Sequence, residues 1–141
     1  MKNEERPQHQ ATARSRTVAT TVLMVATFMD LMDSTITNVA LPTIGKDLHA
    51  TPEQLEWTLA GYVIAFATLL ITGGRLGDIF GHRRIFVIGM VGFTLASLGA
   101  ALSQTGDLLV ATRVIQGAFA GIMVPQVLSS VQVMFAPEER A

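Results

Sequence analysis

The sequence contains no cysteine and comparatively little charge. None of its 141 residues is a cysteine, which excludes disulfide bonds and thiolate metal sites. Aspartate, glutamate, lysine and arginine make up 15% of the chain, less than is usual in a soluble domain, and the net charge of -1 provides no basic surface for nucleic acid. The three histidines are scattered along the chain, so we expect neither a metal site nor a nucleic-acid partner.

Hydrophobic residues are abundant instead, and they form four long runs. They make up 50% of the chain. The runs cover residues 18–41, 57–74, 85–102 and 108–135. A helix rises about 1.5 Å per residue and needs about 20 residues to cross a bilayer. The sequence therefore predicts an all-α membrane protein with four transmembrane helices, whose immediate partner is the lipid bilayer.

Residues 1–16 form a polar tail without a periodic apolar pattern, and we expect the tail to be disordered. A signal peptide is the competing interpretation, because basic residues precede an apolar run. We reject it because the run is too long, contains two aspartates and lacks a clear cleavage site.

The fourth run contains a proline and two spaced glycines. Pro125 predicts either one long kinked helix or a span followed by a re-entrant piece. Gly117 and Gly121 have the spacing that lets two membrane helices touch, and we interpret them as packing residues.

The segment Gly73–Arg84 lies between the second and third runs and contains four glycines and three arginines. We interpret it as a tight basic hairpin at the bilayer surface, with Asp78 as a buried acid. Positive residues favour the cytoplasmic side, and the loop after the first run has only Lys46. We therefore expect the N-terminus and this hairpin to lie in the cytoplasm.

Three ionisable residues fall inside the predicted spans. Asp30 and Asp33 lie in the first span and Arg113 in the fourth, and helical rise places Asp33 and Arg113 at similar depth. Thr37 lies one turn from Asp33, and Gln116 lies one turn from Arg113. Our hypothesis is that these residues face each other or one cavity and couple proton occupancy to substrate binding. A static buried pair that fixes helix packing is the alternative.

Three stretches resemble motifs of one transporter family. Gly74–Arg84 resembles the hairpin signature of the major facilitator superfamily. Leu31–Pro42 resembles the first-helix motif of its drug:proton antiporter branch with fourteen spans, and Arg113–Gly121 resembles the fourth-helix motif of the same branch. Trp57 and Tyr62 also fit the second helix of that branch.

The resemblance implies the start of an N-terminal helix bundle in a multi-pass exporter of the inner membrane. Such a protein exports drugs or other small amphipathic molecules by alternating access, takes its energy from the proton gradient without a cofactor, and is not an enzyme. The resemblance assigns transport to Asp33 and proton coupling to Arg113. It assigns a conformational latch to Gly74, Asp78, Gly81 and Arg83.

Two residues depart from the family pattern. His82 replaces a basic residue of the hairpin, which would make the latch weaker or sensitive to pH. Phe119 replaces a small residue of the fourth-helix motif, which puts close packing there in question.

Two other interpretations remain at this point. One is a small four-helix multidrug exporter that works as a dimer, and the other is a non-transporting membrane scaffold. Since the family fold needs two six-helix halves, we expect this chain to be an N-terminal fragment that transports nothing alone. The sequence leaves the substrate, the direction of transport, the oligomeric state and the role of Asp30 open.

Overall fold

The computed structural model describes the backbone of residues 6–134 and most side chains between residues 17 and 129. Within that part of the chain the structure is helical, with four helices: α1 (Arg6–Asp47), α2 (Pro52–Phe80), α3 (His82–Ala101) and α4 (Gly106–Met134). Each of the four contains a segment long and apolar enough to cross a membrane. The predicted number and type of elements are thus confirmed.

The first helix begins earlier and ends later than predicted. The expectation of a disordered tail is wrong for residues 6–16, which form the start of α1, while residues 1–5 lie outside the described residues. Pro42 does not end the helix, because α1 continues to Asp47. A proline costs a membrane helix one backbone hydrogen bond, and such helices tolerate that loss.

The second helix begins with a capping box. The Thr51 hydroxyl accepts a hydrogen bond from the Gln54 backbone N–H at 3.3 Å, and the Gln54 side-chain oxygen accepts from the Thr51 N–H at 2.9 Å. Pro52 occupies the first helical turn, where its missing N–H costs nothing. These caps start α2 five residues before the predicted span.

The turn between α2 and α3 is far shorter than the predicted hairpin. It consists of Gly81 alone, whose φ of 92° is a backbone conformation that favours glycine. Gly73, Gly74 and Gly77 lie inside α2 instead. Among the four glycines of the segment Gly73–Arg84, Gly81 makes the turn and the others lie along α2.

The fourth helix is the centre of the bundle and packs against both α2 and α3. A Cβ atom at Gly117 or Gly121 would lie less than 3.0 Å from the backbone of Tyr62 or Phe66. A Cβ atom at Gly73 would likewise lie less than 3.0 Å from the backbone of α4. The interpretation of Gly117 and Gly121 as packing residues is therefore correct, and α2 and α4 meet backbone to backbone.

The same helix contacts α3 through paired glycines and larger side chains. Gly89 lies against Met123, and Gly92 lies against the ring of Phe119. Gly92 thus makes room for Phe119, so the large residue in the fourth-helix motif does not prevent close packing. Pro125 lies inside a continuous α4, which excludes the re-entrant piece for the residues up to Met134.

The first helix lies at the edge of the bundle. It contacts α2 and α4 at only a few points. Most of its described side chains are exposed, including Met24, Phe28 and Val39, while Ala26 packs near Phe86 and Met123. What joins α1 to the bundle is mainly a set of polar contacts.

Candidate functional site

A charged side chain of α4 lies at the centre of these polar contacts. Arg113 is only 2% exposed. Its Nη1 donates to Oδ2 of Asp33 on α1 at 2.5 Å and to Oε1 of Gln116 at 2.7 Å. The structure therefore brings together the two ionisable residues that helical rise placed at similar depth.

Gln116 closes the arrangement into a ring of hydrogen bonds. It lies one turn after Arg113 and is fully buried at 0% exposure. Its Nε2 donates to Oδ1 of Asp33 at 2.8 Å, so both carboxylate oxygens of Asp33 are bound. We call Asp33, Arg113 and Gln116 the central network.

The second helix supplies the remaining contacts of the arginine. Arg113 Nε donates to the backbone oxygen of Thr58 at 3.5 Å. The guanidinium carbon lies 4.4 Å from the centre of the Tyr62 ring, which is a cation–π arrangement. Sequence reasoning missed Thr58, because a backbone oxygen leaves no signal in the residue type.

Asp30 joins the central network indirectly. The Tyr62 hydroxyl donates to Oδ1 of Asp30, and the ring of the same tyrosine faces Arg113. Thr37 is half-buried one turn beyond Asp33. Within the described part of the chain, the hydrogen bonds of the network do not include Thr37.

The charges of this site do not cancel. Two carboxylates belong to the site with one guanidinium: Asp33 contacts Arg113 directly, and Asp30 is connected to it through Tyr62. An ionised side chain near the bilayer centre costs about 2.5–3.5 kcal/mol on insertion scales. Among the described residues, Asp33 has the guanidinium as its ion-pair partner, whereas Asp30 has a neutral hydroxyl as its hydrogen-bond donor.

A second polar cluster lies at the α2–α3 turn. Nδ1 of His82 lies 2.7 Å from Oε1 of Gln126, and Nε2 of His82 lies 3.4 Å from Oδ1 of Asp78. Gln126 is fully buried, and its Nε2 donates to the backbone oxygens of Gly73 at 2.6 Å and Ile122 at 3.0 Å. We call Asp78, His82 and Gln126 the turn cluster.

The surroundings of the four predicted latch residues differ from what the sequence predicted. Asp78 was expected to be buried, but its side chain is 73% exposed, because it lies on the outer face of the last turns of α2. Gly74 faces Pro125, Gly81 makes the turn, and Arg83 is exposed in the first turn of α3. The structure therefore places the four in one region but gives them different surroundings.

Sequence reasoning missed Gln126. The available signal was an amide side chain directly after Pro125 in the fourth apolar run, and a buried amide in a membrane helix needs partners. In the described residues, no three histidine, cysteine, aspartate or glutamate side chains lie together as a metal site would require.

Comparisons with known proteins agree with this architecture. A sequence model of the Major Facilitator Superfamily matches residues 23–141. The chain is 44% identical over 126 residues to a probable actinorhodin transporter of Streptomyces coelicolor, covering 89% of this chain and 22% of that protein.

Two further relatives carry names of the same kind. The chain is 43% identical to the tetracenomycin C resistance and export protein of Streptomyces glaucescens, with 85% of this chain and 21% of that protein covered. It is 38% identical to the probable multidrug resistance protein EmrY of Escherichia coli, with 86% and 24% covered. The chain thus spans about a fifth to a quarter of the length of these relatives.

Proposed function

This chain belongs to the Major Facilitator Superfamily, and from that premise we propose that the protein containing it exports small amphipathic molecules in exchange for protons. Alternating access would carry the substrate across the membrane, and the central network would couple that movement to the proton gradient. We propose no cofactor and no enzymatic reaction. The family match also replaces the small dimeric exporter and the scaffold as interpretations.

The observation that carries the proposal is the buried ion pair between α1 and α4. The pair bridges a helix at the edge of the bundle and the helix at its centre. Removing one partner leaves the other charge buried and uncompensated, which is strongly unfavourable. A proton on Asp33 would release Arg113 and α1 together, so proton binding and helix movement would be linked.

The names of the relatives support a class of substrates. They refer to actinorhodin, tetracenomycin C and, for a Streptomyces alboniger protein 40% identical over 121 residues, puromycin resistance. We propose antibiotics and similar amphipathic molecules as substrates. The site would lie in the inner membrane of the cell, with the N-terminus and the α2–α3 turn on the cytoplasmic side.

We further propose that the α2–α3 turn acts as a conformational latch. The hydrogen bonds of Gln126 join the end of α2, the start of α3 and the middle of α4 around Gly81. Gly74, Asp78 and Arg83 lie beside this junction, where contacts with a further part of the transporter would stabilise one conformation.

The test is export by the full-length product of the gene that encodes this chain. Cells that lack their own major exporters would express the product, and the intracellular accumulation of puromycin, tetracenomycin C and ethidium would be measured with and without a protonophore. We expect lower accumulation than in cells with an empty vector, and we expect the protonophore to abolish the difference.

Two variants separate the coupling residues from the rest of α1. Asp33→Asn should remove export, whereas Asp47→Asn, on the exposed end of the same helix, should leave it unchanged. Accumulation equal to the empty vector for all three probes, or export that resists the protonophore, would contradict the proposal.

A further inference from the structure

Tyr62 lies between Asp30 and Arg113. Its hydroxyl donates to Asp30, and its ring face lies 4.4 Å from the guanidinium carbon of Arg113. The ring is 7% exposed and stacks on Phe66, with ring centres 6.4 Å apart and planes 7° from parallel. Packing thus holds the tyrosine in place. Its hydroxyl contacts Asp30, and its ring face contacts Arg113.

The two carboxylates differ in how their charge is stabilised. Both oxygens of Asp33 are bound by Arg113 and Gln116. Asp30 instead accepts a hydrogen bond from Tyr62, and among the described residues no lysine, arginine or histidine lies within ion-pair distance of it. The Tyr62 hydroxyl is therefore the side-chain donor that binds Asp30 in the described part of the chain.

The charged and titratable groups that face this tyrosine are few. In the described part of the chain they are Asp30 and Asp33 from α1 and Arg113 from α4. The ionisable residues of α3 lie in its first turn, beside the turn cluster. Asp30 and Arg113 are therefore linked through the Tyr62 ring, without a contribution from α3.

We propose that Tyr62 is a positioning residue that links the proton occupancy of Asp30 to the Arg113–Asp33 ion pair. The inference rests on the proposed function and deepens it, because it makes Asp30 a second proton-exchanging carboxyl of the same site. When Asp30 takes up a proton, its oxygen becomes a weaker acceptor and the tyrosine hydroxyl loses its charged partner. The ring is then less firmly held against Arg113, and Arg113 is freer to leave Asp33.

The experiment follows carboxyl protonation directly, without a substrate. The purified full-length product in lipid is titrated with acid while infrared difference spectra record the carbonyl stretch of protonated carboxyl groups. We expect a band that appears as the pH falls and that is missing in Asp30→Asn. Transport is not measured, so this result is independent of whether the protein exports any tested drug.

A phenylalanine substitution isolates the hydroxyl. Tyr62→Phe keeps an aromatic ring at this position and removes the hydroxyl that donates to Asp30, so the pH at which the band appears should differ from that of the wild type. Thr68→Val is the control, since it removes another hydroxyl of α2 that binds only its own helix, at Ile64. We expect the control to titrate like the wild type.

A second variant tests the same hydrogen bond from the side of Asp30, in case Tyr62→Phe does not fold. Asp30→Glu moves the carboxyl relative to the Tyr62 hydroxyl without changing α2, and it should also change the pH at which the band appears. In the Asp30→Asn background, Tyr62→Phe should cause no further spectral change.

The inference is overturned if no band depends on Asp30, or if both Tyr62→Phe and Asp30→Glu titrate like the wild type. Failure here, together with loss of export in Asp33→Asn, would leave the proposed function standing and remove only the role of Tyr62. A shifted band without any drug export would support the role of Tyr62 and contradict the proposed function.

Discussion

The fourth helix contacts α2 and α1 by opposite means. Against α2 it places Gly117 and Gly121 directly on the backbone, leaving no room for a side chain. Against α1 it relies on the ion pair of Arg113 with Asp33, while the apolar side chains of α1 stay largely exposed. The first contact depends on shape and has one arrangement. The second depends on charge, and it is this contact that we propose a proton switches.

The same contrast appears in Gln116 and Gln126, the two buried glutamines among the described side chains of α4. Gln116 binds the carboxylate of Asp33 and takes part in a charged contact with α1. Gln126 binds the backbone oxygen of Gly73 and the ring of His82, and it joins helices that already pack closely. We infer that α2, α3 and α4 form one rigid unit and that α1 is the element that moves against it.

The largest effect is expected from filling the backbone contact. Gly117→Leu places a side chain where the backbone of Tyr62 lies, and we expect a loss of more than about 5 kcal/mol, so that little folded protein is recovered. Ala111→Leu, on an exposed part of α4, is the control. The yield of monodisperse full-length protein in detergent measures both, and a normal yield for Gly117→Leu would refute the close contact.

A smaller but still large effect is expected from breaking the ion pair. Arg113→Met leaves Asp33 without its cation and should cost about 3–5 kcal/mol. Hydrogen exchange should increase in α1 and stay low in α2 and α3 if the rigid unit is intact. The matched control is the exposed Arg75→Met, and an equal increase in all four helices would contradict the division into a rigid unit and a mobile helix.

Removing the second glutamine should have a local effect. Gln126→Leu keeps the volume but leaves the Gly73 oxygen and His82 without the amide, which should cost about 1–3 kcal/mol. We expect faster hydrogen exchange at the end of α2 and the start of α3, with α1 unchanged. Gln104→Leu, in the exposed α3–α4 connection, should change neither. Faster exchange in α1 would show that the two clusters are not independent.

The smallest effect is expected at the start of α2. Thr51→Ala removes half of the capping box and should cost about 1 kcal/mol. The thermal unfolding midpoint should fall slightly, with unchanged transport, whereas Thr68→Ala should leave the midpoint in place. A loss of transport in Thr51→Ala would show that the start of α2 takes part in transport, which the contrast between the α4–α2 and α4–α1 contacts does not predict.

The sequence predicted the four helices and the matched level of Asp33 and Arg113, but not which face of each helix is buried. The rise per residue is fixed, so counting along two helices placed Asp33 and Arg113 at one level. Which face of a helix points inward depends on packing, and for this reason Asp78 was wrongly expected to be buried.

The pattern of apolar residues also does not predict where a helix ends or which single residue makes a turn. A run of hydrophobic residues marks the part of a helix inside the bilayer, whereas α2 continues through polar residues to Phe80 and α1 begins at Arg6. Four glycines in one segment suggested a broad turn, but only the backbone shows that Gly81 makes it. Gln126 was missed because the partners of an amide are set by the fold.

The central claim is that the contact between α1 and α4 is the one a proton switches. The most direct measurement compares two kinds of transport by the full-length product in liposomes, using a drug that the accumulation assay identifies as a substrate. We predict that Asp33→Asn still exchanges drug for drug at equal pH, while an imposed pH gradient no longer accelerates its transport. If the gradient accelerates transport by Asp33→Asn as strongly as transport by the wild type, the claim is wrong.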